Sequence, residues 1–168
     1  METITAYEDL ARLVTGHFHR GVRTNTMVSP EEYGPAIAAG TLRAQATPAG
    51  LLSDLETLGF LFEALCERDL RIYAESFGGN LYHYQDYKSQ EIDAVVEMPD
   101  GAWCAFEIKL GANQIDAAAK SLLEIKAQIE EDPKGKPPAV LCVLCGMANA
   151  AYQRPDGVFV VPVTALKE

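Results

Sequence analysis

The sequence of 168 residues contains no apolar run approaching the roughly 20 residues that span a bilayer, which excludes a transmembrane helix. It has no internal repeat and no low-complexity tract, so solenoid and disordered classes are set aside. No Gly-x-x-x-x-Gly-Lys-Ser/Thr phosphate loop occurs, which argues against an ATPase or kinase. Cysteine is scarce: Cys66, Cys104, Cys142 and Cys145 form no disulfide framework. Cations are scarce too, 14 Lys and Arg against 24 Asp and Glu, a net charge of −10 that makes the chain a poor non-specific binder of nucleic acid. The opening METITAYEDLARLV lacks the basic-then-apolar order of a signal peptide, and this predicts a cytoplasmic protein without membrane association.

What is present reads as one soluble domain: 48% of residues are apolar and 23% charged. Residues 1–45 are expected to form an N-terminal helical and basic segment, with short helices over Ala6–Val14 and from Ser29-Pro30 to Gly40. Within it, residues 10–30 carry Arg12, Arg20 and Arg23 and no acid, which suits either a solvated surface or a basic arm. Residues 46–168 are expected to hold the folded domain. Thr47-Pro48 opens a long helix whose apolar face holds Leu51, Leu55, Leu58, Phe62 and Leu65, and Gly78-Gly79 closes it. Three strand-like stretches follow, at 81–85, 92–98 and 102–110, then a second helix over 113–132 with Leu122, Ile125 and Ile129 on one face. The run AVLCVLC is apolar throughout and predicts a strand buried on both faces. Its Cys-x-x-Cys spacing then reads as core and not as a metal or redox site. A last strand, VFVVPV, has Pro162 at an edge or at the strand's end. The order predicts an α/β fold: a mixed sheet of four to five strands flanked by helices.

The chemistry gathers in QEIDAVVEMPDGAWCAFEIKLG. Pro99-Asp100-Gly101 suits a three-residue hairpin loop with Gly101 in the left-handed position. Met98 then opposes Ala102, and the same register sets Asp93 opposite Glu107, with Lys109 on their face and Ile92, Ala94, Val96, Phe106 and Ile108 on the other. A single Glu-x-Lys on a strand is ordinarily a solvated face. Two acids facing one another, however, need a cation, and Asp93 and Glu107 suit Mg2+ or Mn2+ completed by water and phosphate oxygens. Lys109 would assist the attacking water and steady charge on a phosphate. Lys88, before the Asp93 strand, and Gln114 and Gln128, on the second helix, are weaker candidates for contact with a phosphate backbone.

Asp93 followed by Glu107-Ile108-Lys109 resembles the motif of the PD-(D/E)XK nuclease superfamily, and the element order is similar as well. From LETLGFLFEALCERDLRIYA through YHYQD, EIDAVVE and VVPVTAL, the chain resembles the nuclease-like domain of unknown function that follows an AAA-type ATPase module in many prokaryotic ATP-binding proteins. The resemblance spans about residues 48–166. It implies a restriction-endonuclease-like fold, a DNA substrate, an ATPase module or protein partner, and a helix acid at Glu63. Advancing about 100° per residue from Leu51 places Glu63 about 20° beyond the apolar stripe, nearer than Glu56 or Glu67. Glu63 is therefore expected to be the most buried of the three and to reach the Asp93 group, with Gly59 admitting the sheet one turn earlier. The rival expectation is a nuclease-like module that binds DNA or protein without cutting, its ion pairs purely structural.

Overall fold

The computed structural model describes residues 48–86 and 90–166. The expected N-terminal helices, the boundary at residue 46 and Lys88 lie outside the described residues. The chain divides into two compact units, residues 1–68 and 69–168, and the division falls inside a helix. No helix among the described residues is long and apolar enough to cross a membrane.

In the first unit, α1 (Pro48–Leu52) is followed by α2 (Leu55–Ser76), where one continuous helix was expected. The interruption is made by Asp54. Its carboxylate accepts the Thr57 N–H at 3.1 Å and the Thr57 hydroxyl at 2.7 Å, the geometry of a side-chain cap on the first turn of α2. The break leaves Leu55, expected in the apolar stripe, at the first residue of α2 and 51% exposed, while Leu58, Leu61, Phe62 and Leu65 are buried. Glu56 is exposed, and Glu63 and Glu67 fall in the same half-buried class. An added Cβ at Gly59 would meet nothing within 4 Å.

In the second unit, Gly78 closes α2 in the left-handed region, and the Gly79 N–H returns to the Ala74 carbonyl at 2.8 Å. A Cβ on Gly79 would stand 2.7 Å from the Glu97 carbonyl oxygen, so only glycine lets the chain pass this strand. The strands are β1 (Asn80–Gln85), β2 (Glu91–Glu97), β3 (Trp103–Lys109), β4 (Val140–Cys145), β5 (Tyr152–Gln153) and β6 (Phe159–Pro162). They form one mixed sheet in the order β1-β2-β3-β4-β6-β5. β3, β4 and β6 run parallel, and the outer pairs are antiparallel. The sixth strand, β5, is two residues long and too short to show a pattern. It covers β6 at Phe159 and Val160, so β6 is not an edge, although Pro162 does end it.

A short 3-10 turn (Ala112–Gln114) leads from β3 into α3 (Ile115–Glu131), which joins β3 to its parallel neighbour β4. Ala118, Leu122 and Ile125 of α3 pack in one core with Ala105, Val143 and Val160. Each fully buried Leu, Ile or Val here contributes about 1.5–3 kcal/mol. Leu141 through Cys145 are all buried, and the four cysteines are free thiols. Burial, with a smaller effect from Cys104, pushes the Cys142 thiol up to about 12, so the Cys-x-x-Cys pair is inert core as expected.

The β2–β3 hairpin takes the expected register. The Gly101 N–H bonds the Met98 carbonyl at 2.9 Å, the Met98 N–H bonds the Ala102 carbonyl at 2.8 Å, and Ala94 faces Phe106. The β1–β2 pairing holds a surprise. Tyr82 faces Val95 but Tyr84 faces Ile92, so β2 carries one extra residue beside Asp93 and Ala94. This bulge corrects the expected faces: Ile92 joins the core beneath α3, and Ile92, Asp93 and Ala94 are buried in succession. Gly101 sits at φ +79°, where an L side chain is strained. Gly101→Ala should cost about 1 kcal/mol and lower Tm by about 3 °C in a thermal melt.

Candidate functional site

The site begins where the β2–β3 ladder ends. Hydrogen-bonded pairs recur at every second residue of an antiparallel ladder, and counting from Met98 and Ala102 brings the Ile108 N–H opposite the Ile92 carbonyl. It goes elsewhere. Asp93 Oδ2 accepts the Ile108 N–H at 2.7 Å, so a side chain replaces the backbone at this rung. Glu107 and Lys109 flank Ile108 on β3, two residues apart and hence on one face. The Lys109 ammonium then lies 2.8 Å from Asp93 Oδ2 and 2.6 Å from Glu107 Oε2.

Both acids are core residues, Asp93 at 8% and Glu107 at 5% exposure, whereas the Lys109 side chain keeps 26%. Two buried carboxylates against one ammonium leave the group one negative charge in excess. Burial, and then the Asp93 charge, push the Glu107 pKa up, while the hydrogen bond and charge of Lys109 pull it down, and the net shift is upward. Burial alone would lower the Lys109 pKa, but its contacts with Asp93 and Glu107 outweigh that, and the net shift is upward. At neutral pH Lys109 is therefore a fixed positive charge and not a base.

The remaining expected residues are placed as follows. Gln114 turns its amide oxygen back to the Gly111 N–H at 3.0 Å, which locks the turn between β3 and α3. Gln128 is exposed and lies about 20 Å along α3 from the start of that helix, remote from Lys109. Glu63 belongs to the first unit, half-buried and already engaged in a polar or electrostatic contact. Trp103 is structural, its indole N–H donating to the Lys136 carbonyl at 2.8 Å. Two neighbours were missed in the sequence. Glu91, exposed, adds to the upward push on Glu107, and His83 Nδ1 stands 3.4 Å from the Asp93 carbonyl. The available signal was the acid two residues before Asp93, in Gln-Glu-Ile-Asp.

Among the described residues, no group of three or more His, Cys, Asp or Glu is gathered for a metal ion. The donor set nonetheless fits a hard divalent cation of the Mg2+ kind, which commonly takes one or two carboxylates and completes its shell with water and phosphate oxygens. Asp93 and Glu107 are the residues that would hold it. Among the described residues, Asp93 Oδ1 and Glu107 Oε1 accept no hydrogen bond, and the group's excess negative charge favours a cation.

Removing the ammonium tests this electrostatic account. Lys109→Met should destabilise the protein by about 3 kcal/mol at neutral pH, because it strands two buried carboxylates. Without Lys109 to lower it, the Glu107 pKa rises further above its unfolded value. Stability of the variant should therefore increase as the pH falls through that folded pKa, and its deficit against wild type should shrink. Urea unfolding at pH 7 and at about pH 5 checks the sign. An equal deficit at both values would contradict it.

Comparison with curated proteins and with solved structures returned no match. Residues 58–166, which include α2 from Leu58 onward and every strand of the sheet, match the family described as Domain of unknown function (DUF4143). The match extends over well more than half of the chain and contains Asp93, Glu107 and Lys109. The chain belongs to the DUF4143 family.

Proposed function

We propose that this chain is a nuclease-like domain of the PD-(D/E)XK type, with a restriction-endonuclease-like sheet, that hydrolyses phosphodiester bonds in DNA with Mg2+ or Mn2+. The observation that carries the reading is the buried Asp93–Lys109–Glu107 group at the carboxyl end of β3. A divalent ion held by Asp93 and Glu107 would polarise the scissile phosphate and ease deprotonation of water. Lys109, permanently charged, places an ammonium beside the phosphate oxygens and stabilises the charge that builds on them. As water attacks, a bond forms from its oxygen to phosphorus and the bond from phosphorus to one ester oxygen breaks. The proton that the water gives up passes to solvent, and the departing oxygen takes its proton from solvent. An ATPase module or protein partner would accompany the domain, as the resemblance implies.

A second reading has one observation in its favour. Lys109 already satisfies one oxygen of each acid, so the group is also a workable structural ion pair in a non-catalytic module for DNA or protein. The two readings separate on supercoiled plasmid incubated with Mn2+ or Mg2+. Nicking by the wild type should fall about a hundredfold or more in Asp93→Asn and in Lys109→Met, with circular dichroism confirming that both variants fold. Glu63→Gln, assayed in parallel, tests the helix acid assigned by resemblance. Intact plasmid with every metal would leave the binding module as the function.

A further inference from the structure

The Lys109 ammonium does more than accompany the two acids. It touches both at once, 2.8 Å from Asp93 Oδ2 and 2.6 Å from Glu107 Oε2, and so stands where a second cation shared by those carboxylates would have to be accommodated. The three partners differ in their freedom to move. Asp93 is pinned, since the same oxygen also accepts the Ile108 N–H at 2.7 Å from the strand backbone. Glu107 is 5% exposed within the sheet. Lys109 sits on the last residue of β3 with a quarter of its side chain open to solvent, and four rotatable carbons separate its charge from the backbone.

We infer that Lys109 is a resident counter-cation that a divalent ion must displace, so that occupancy of the Asp93–Glu107 pair by metal is coupled to where the lysine goes. The inference rests on the reading of Asp93 and Glu107 as metal ligands. Two cations beside the same pair of carboxylates repel, and with both carboxylates held in place the flexible ammonium is the one that leaves. A phosphodiester anion offers it a new partner. Metal and phosphate backbone then favour one another's binding, and by linkage the coupling is the same in both directions. The lysine offsets the repulsion between the carboxylates while no metal is bound and withholds high metal affinity until the anionic substrate arrives.

Titration calorimetry with Mn2+ alone tests the inference without any turnover. Folded Lys109→Met should bind Mn2+ at least tenfold more tightly than wild type, while Asp93→Asn should bind far more weakly. Lys109→Gln, which is neutral yet still able to hydrogen-bond the acids, serves if the methionine variant does not fold. In wild type, the side-chain NMR resonance of Lys109 should shift on saturation with Mg2+. Equal or weaker affinity in the lysine variants, or an unmoved resonance, overturns the inference and leaves the nuclease reading standing. Absence of binding in wild type and lysine variants alike overturns both.

Discussion

One ammonium shared between two buried carboxylates is the constraint on which the local structure depends. Burying Asp93 and Glu107 side by side without Lys109 would set like charges together at low dielectric, a cost of several kcal/mol per uncompensated ion. The surrounding features position that cation. The three-residue loop at Pro99–Gly101 sets the register in which Ala94 faces Phe106, the residues adjoining the two acids. The extra residue in β2 lets Asp93 turn to the Ile108 N–H while Ile92 fills the core. The turn that Gln114 locks after β3 starts α3 immediately beyond Lys109, so helix packing and the charged group are continuous in the chain.

The site also stands on a seam of the sheet. β3 pairs antiparallel on one side, with β2, and parallel on the other, with β4. Carboxyl ends of parallel strands are where α/β sheets leave room for ligands, because the chain departs there into helices and opens a crevice. Lys109 occupies that end of β3, and the Gly146 N–H still bonds its carbonyl at 3.0 Å, so the backbone beneath the ammonium is held from the β4 side. β3 thus supplies Glu107 and Lys109 to the charged group and Ala105 to the core.

The hairpin was legible because Pro-Asp-Gly leaves little choice of turn, and a turn of known length dictates every pair along the two strands. The bulge was not legible. Glu91 to Ala94 alternate in polarity, and the extra residue emerges only from the pairing with β1, a long-range property of the sheet. The break before α2 was visible in kind, since Ser53-Asp54 is a capping sequence, but the apolar spacing of Leu51, Leu55 and Leu58 masked it. Glu56, Glu63, Glu67 and Leu70 all lie in α2, so their angular spacing survives the break: Glu63 is less exposed than Glu56, and Glu63 and Glu67 share one burial class. β5, with two residues, is created by its neighbour and leaves no pattern of its own.

The hairpin's short loop also bears on the order in which the chain assembles. Lys109 and Asp93 are 16 residues apart in sequence, and a three-residue turn joins their strands. Closing so short a segment restricts few degrees of freedom, and hairpins form within microseconds. The parallel pairing of β3 with β4 must instead wait for α3 and the loop behind it, a slower search over a longer stretch of chain. Synthesis from the N-terminus keeps the same sequence of events, since β1 to β3 emerge before β4 exists. The charged trio therefore meets first in water, where its mutual repulsion and attraction are both weak. Its desolvation is deferred until the parallel half of the sheet arrives to support it.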